Sequence, residues 1–144
     1  MAENVTRRDT AALQALTQGG TVVVSSTGNG AFEQMLLNKG EFNGKRLLKP
    51  STVELMSTNH VGDLYGGTGG STKGTGFGLT VRVLLDPAAA GSGRAAGAFG
   101  WGGAYGTASW TDPKEQMTAA LFIQQPGNNV LQDFENAIRA SIPA

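Results

Sequence analysis

Glycine supplies 22 of the 144 residues, about double its usual ~7% share, and its placement constrains the fold more than any other feature. Residues 66–78 read Gly-Gly-Thr-Gly-Gly-Ser-Thr-Lys-Gly-Thr-Gly-Phe-Gly, and residues 91–106 hold a second dense group. A residue without Cβ suits loops, and it suits strands whose backbone must come close to another group. The chain shows no internal repeat and no long charge run, which excludes a solenoid or a charged tail.

Between the glycines the apolar spacing predicts helices first and strands later. Thr6 is placed to cap a helix over 7–17, with Ala12, Leu13 and Leu16 on one face and Gly19 as its stop. A second helix is predicted over Ala31–Lys39, with Phe32, Met35 and Leu36 at helical spacing before Gly40. Pro50-Ser51 followed by Glu54 reads as a capping box opening a third, which carries Val53, Leu55 and Met56. Thr21–Ser25 is a short β-branched run, and Phe77–Leu85 places Leu79, Val81, Val83 and Leu85 on one strand face. Three more strands are predicted at 98–103, 105–111 and 117–124. Asp112-Pro113-Lys114-Glu115 forms the turn before the last of them. A closing helix over 129–141, capped by Asn128 or Asn129 and stopped by Pro143, turns Val130, Phe134, Ala137 and Ile138 one way. The expected fold is α+β: an antiparallel sheet with flanking helices, covered on one face.

Eleven basic residues balance eleven acidic ones, so no basic field draws a phosphate backbone, and nucleic acid is not expected as a partner. The absence of cysteine removes thiolate nucleophiles and cysteine-rich metal sites. One histidine does not make a His-rich metal site, and no cofactor is implied. No apolar run approaches the ~20 residues of a membrane helix, so no membrane partner is expected. Met1–Arg8 lacks the apolar core of a secretory signal, and the compartment stays open.

Several segments mimic chemistry. Gly69–Gly76 has the residue types of a phosphate loop, but Lys73 precedes a glycine and a strand follows, which is the wrong order. Gly74, Gly76 and Gly78 lack the flanking strand and helix of a dinucleotide fingerprint. His60 is either a general base or a helix-terminal side chain bonding the last carbonyls. Asp112 with Glu115 and Asp133 with Glu135 read as solvated surface rather than a paired-carboxylate site. Phe99-Gly100-Trp101-Gly102-Gly103-Ala104-Tyr105-Gly106-Thr107 differs, because two glycines after an aromatic strip a strand of side chains. A ligand can lie against such a strip and bond to its amides, as in one half of an oxyanion hole. A glycine bulge with Trp101 merely packing is the plainer alternative.

From about Gly19 onward the chain resembles the penicillin-recognising serine hydrolases: class C β-lactamases, related esterases and D-alanyl-D-alanine carboxypeptidases. Gly19–Thr27, the stretch Phe32–Met56, Thr75-Gly-Phe-Gly-Leu79, Phe99-Gly-Trp-Gly-Gly103 and Trp110-Thr-Asp-Pro113 follow in the family's order. The family uses Ser-x-x-Lys, Tyr-x-Asn or Ser-x-Asn, and Lys-Thr-Gly or a relaxed Trp-Gly-Gly on a strand. Trp101-Gly102-Gly103 is similar to the relaxed third motif. The resemblance implies that Trp101, Gly102, Gly103 and Ala104 bind substrate, with the Ala104 amide an oxyanion donor and Trp101 a wall of the cleft.

Neither other motif can be carried over. No Ser-x-x-Lys occurs, Tyr65 and Tyr105 lack the asparagine, and Ser57-Thr58-Asn59 lies in the predicted third helix. The resemblance therefore implies residues 19–144 as a carboxy-terminal portion of such an enzyme, behind a helical segment 1–18 of other origin. No catalytic residue is assigned, and the chain alone is expected to be inactive. It is either one part of a two-segment hydrolase acting on a β-lactam, ester or D-Ala peptide, or a non-catalytic remnant binding a small acyl or peptide ligand. The family's missing strands would leave sheet surface to be covered by residues 1–18, a complementing segment or a second copy in a homodimer.

Overall fold

The computed structural model describes residues 29–65, 72–124 and 129–142. The expected helix over 7–17, the strand over 21–25, the domain boundary at 18, Asn128 and Pro143 lie outside them.

Helix α1 (Asn29–Leu37) begins and ends two residues before its predicted limits. Met35 and Leu36 enter a core with Val53, Val81, Val83 and Phe99, while Phe32 stays half exposed. Lys39 and Gly40 both take positive φ, and the Gly40 amide bonds back to the Met35 carbonyl at 2.8 Å, which ends the helix. The hairpin β1 (Glu41–Phe42) and β2 (Lys45–Arg46) follows. Its corner is Asn43-Gly44, both at positive φ as a tight two-residue turn requires.

Helix α2 (Pro50–Ser57) starts at Pro50 behind Lys49, with no side-chain cap. The predicted capping box does not form. Proline fits the first helical position, and this draws Ser51 into the first turn, where it cannot act as the cap.

The predicted strand Phe77–Leu85 is a hairpin instead, β3 (Thr75–Phe77) and β4 (Arg82–Leu84). The Gly78 amide donates to Val81 O at 2.8 Å, closing the turn. A Cβ on Gly78 would lie 1.9 Å from Met56 O, so the backbone reverses tightly against the end of α2. Leu79 and Leu85 are left half exposed. A short helix α3 (Pro87–Ala90) follows, unforeseen although Asp86 caps it and Gly91 ends it in the left-handed region.

Strands β5 (Phe99–Gly102), β6 (Ala108–Asp112) and β7 (Met117–Leu121) complete an antiparallel sheet in the order β3-β4-β5-β6-β7. Asp112 accepts from the Lys114 and Glu115 amides at 3.2 Å and so forms the expected turn. Helix α4 (Val130–Ser141) closes the fold; Asn129 stands at its cap without a side-chain bond.

Helices cover the sheet on both faces, not one. Strand alternation puts Ser109 and Thr111 on one side and Trp110 on the other, and Trp110 and Thr111 are each at most 1% exposed. On the first side Glu33 of α1 accepts from Ser109 Oγ at 2.7 Å and Thr111 Oγ1 at 2.5 Å. Both hydroxyls thus serve a buried carboxyl. On the second side Leu131, Phe134, Ile138 and Ile142 pack on Trp110, Met117 and Ala119. Val130 and Ala137, expected on that stripe, point outward.

Two acids expected at the surface are buried. Asp112 also accepts from the Ala95 amide at 2.9 Å. Glu135 pairs with Arg94 at 3.2 Å and accepts from Ser92 Oγ at 2.9 Å and the Gly93 amide at 3.3 Å. Arg94 lies over the Trp110 ring at 5.1 Å. Burial pushes its guanidinium below the usual range, and Glu135 opposes that shift. This cluster fixes α4 to the 92–95 loop and so explains why the apolar stripe of α4 is rotated from its expected position.

Glu33 yields a pH test. Burial raises its pKa, against the two hydroxyl bonds, so folding favours the protonated form. Below about pH 4.5 the carboxyl is protonated in both states and costs nothing. As pH rises through the raised native value, the unfolded state releases its proton more readily, and native stability falls. Glu33→Gln removes that titration. The variant's thermal midpoint relative to wild type should rise between pH 4 and pH 8, and parallel profiles would refute the assignment.

Candidate acyl-binding site

Strand β5 is locked to β6 along one edge, with Phe99 opposite Thr111 and Trp101 opposite Ser109. The Gly103 amide donates to Thr107 O at 2.7 Å and the Gly106 amide to Gly103 O at 3.1 Å, with Gly106 at φ 90°. This is a type I turn closed by a glycine bulge. Antiparallel ladders alternate, so with Gly103 turned toward β6 the Gly102 amide faces the other edge, while Ala104 lies past the strand in the turn. On that edge β4 stops at the Arg82–Gly100 pair. Beyond it, among the described residues, no strand covers β5.

The structure brings three of the four expected residues together. Trp101, Gly102 and Gly103 line a cavity of about 400 Å³ with Gly100, Thr107 and Ser109. Ala104 does not line it: this residue sits exposed at the first corner of the turn, its amide without a partner among the described residues. Trp101 is half exposed. Its ring meets Phe77 edge to face at 5.3 Å and 88°, Phe77 in turn meets Tyr65 at 5.3 Å, and the Arg82 guanidinium carbon lies 5.7 Å from the indole centroid. Nothing in the spacing of Tyr65, Phe77 and Arg82 marked them as neighbours of Trp101. Only the register of β3, β4 and β5 makes them so.

The other candidates are engaged elsewhere. His60 Nε2 bonds Leu55 O at 2.7 Å, the helix-terminal role. Asn59 Oδ1 accepts from the Phe77 and Val61 amides at 3.2 Å, and its Nδ2 donates to Gly62 O, so Asn59 caps the outer edge of β3. Lys73 is exposed, and residues 66–71 of the glycine loop lie outside the description. Ser109 reaches the cavity, but its hydroxyl is donated to Glu33; no lysine or histidine lines the space. No described helix is long and apolar enough to cross a membrane. The arrangement offers backbone donors and an aromatic wall without an activated nucleophile.

The antiparallel sheet with flanking helices is an α+β fold that two solved structures share. EstCE1, a hydrolase with promiscuous acyltransferase activity, aligns with a TM-score of 0.58 and 28% identity over 76% of this chain and 27% of its own. A Bacillus anthracis protein assigned as a 6-aminohexanoate-dimer hydrolase aligns with a TM-score of 0.55 and 28% identity over 78% of this chain and 28% of its own. Both have the β-lactamase/transpeptidase fold. Two Mycobacterium tuberculosis proteins, Protein Rv1367c and uncharacterised protein MT1414, are each 38% identical over 101 residues. That is 65% of this chain. No protein-family model matches. The chain shares the β-lactamase/transpeptidase fold of these two serine hydrolases, and it spans about a quarter of the mycobacterial proteins (25%) and of the two solved structures.

Proposed function

We propose that Trp101–Ala104 form the strand-side wall of an acyl-binding cleft, and that catalysis requires a further segment bringing Ser-x-x-Lys and Tyr-x-Asn. The observation that carries this reading is the open edge of β5 past Arg82. There the outward amide of Gly102 adjoins the cavity beside a half-exposed indole, and Ala104 follows two residues on at the exposed turn corner. Ala104 would offer one oxyanion donor, and its place at a turn corner leaves that amide accessible to a carbonyl oxygen. One donor without a nucleophile supplies little of an acyl-transfer rate, because attack itself is missing. The 144 residues alone bind acyl compounds without turning them over. A complementing segment, or a second copy in a homodimer, would complete the sheet.

The test is incubation of the chain with a chromogenic cephalosporin and a p-nitrophenyl ester, followed by intact-mass spectrometry. The expected result is background hydrolysis and an unmodified mass. Turnover, or a stable acyl adduct on any serine, would overturn the inactive reading.

A further inference from the structure

We infer that Phe77 is a positioning residue for Trp101, and that the fixed indole selects ligands carrying an aromatic ring beside the acyl carbon. The inference rests on the acyl-cleft reading above and narrows it to a substrate class. Phe77 does not line the cavity, whereas Trp101 does. Any effect of Phe77 on a ligand therefore passes through the indole. A half-exposed tryptophan ordinarily has rotamer freedom to lose when a ligand stacks on it. Here Phe77 stands at 88° to the ring and Arg82 lies 5.7 Å from its centroid, so the indole is held from two sides before any ligand arrives. Tyr65 extends the row behind Phe77, and the amide and carbonyl of Phe77 are fastened by Asn59 and His60. The row is thus anchored to the end of α2 rather than to the cleft.

A preorganised aromatic face rewards a flat apolar partner through ring–ring contact beyond its buried area. The bare Gly102–Gly103 floor lets such a ring approach the strand. The charged groups that line the cavity are Arg82 and Arg94; Arg94 is paired with Glu135 and Arg82 lies beside the indole, so among neutral ligands the aromatic contact does the sorting. The ligand class is an aromatic acyl ester.

The probes are methyl benzoate and methyl acetate, titrated into the full chain while the Trp101 indole N–H signal is followed by NMR. Trp101→Phe assigns that signal against buried Trp110. Methyl benzoate should bind about tenfold tighter than methyl acetate. Phe77→Leu should bring that ratio toward one while leaving the methyl acetate affinity in place, and Phe77→Tyr should restore it. Equal affinities in the wild type overturn the substrate class. An unchanged ratio in Phe77→Leu overturns the positioning role. If Phe77→Leu does not fold, Phe77→Met takes its place, with the same drop in the ratio expected and an unchanged ratio again contradictory. If neither probe moves the Trp101 signal, the acyl-cleft reading itself falls.

Discussion

Glu135→Ala should lower the unfolding free energy by about 3 kcal/mol, seen as an earlier midpoint in urea with an unchanged slope. The carboxylate is buried against Arg94, Ser92 and the Gly93 amide. Its removal leaves a guanidinium without its ion partner over the Trp110 ring. Breaking a buried pair from one side costs about 3–5 kcal/mol. Arg94 keeps 27% of its side-chain surface exposed, and water there softens the loss toward the lower end. Replacing both partners with apolar residues, Arg94→Met with Glu135→Leu, should recover most of it, because the cost lies in the orphaned charge. A shift under about 0.5 kcal/mol for the single variant, the size of an ordinary surface change, would mean that the pair is not what fastens α4.

Gly100→Ala should cost about as much, by a different route. A Cβ there would fall 2.1 Å from Ser109 O and 2.6 Å from Trp110 Cα. Both are main-chain atoms of the neighbouring strand, so no rotamer change relieves the overlap. The sheet must open between β5 and β6, at the upper end of overpacking penalties, about 3 kcal/mol. Gly102→Ala is the control, since its Cβ would meet only Thr107 O, at 3.4 Å. That variant should stay within about 1 kcal/mol of wild type. Equal urea midpoints for Gly100→Ala and wild type would contradict the close approach.

Local signals in the sequence located most elements but said little about their surroundings. The Asp112 turn was legible from its turn chemistry, and the three strands after Gly97 from their place around the second glycine group and that turn. The reversal at Gly78 was not, because an apolar alternation running through Leu79 and Leu85 reads as one strand. What breaks that strand is the approach of the Met56 carbonyl, a tertiary fact. The second covered face was hidden for a similar reason. Ser109 and Thr111 look like a polar outer face until Glu33, some 76 residues earlier, arrives to accept from them. At the candidate site, Trp101, Gly102 and Gly103 could be named because a motif lies contiguous in the chain. Their aromatic support could not, because Phe77 meets Trp101 only across β4 in the folded sheet.

Strand β4 is three residues long and reverses at once into β3 through the 78–81 turn. A few residues inserted there would let the ladder zip further along β5, seal its free side and hide the glycines without altering any of them. Access to the strip is therefore governed by the length of a neighbouring hairpin. A lineage could open or shut this scaffold to ligands by insertion and deletion, with the chemistry of the strip untouched.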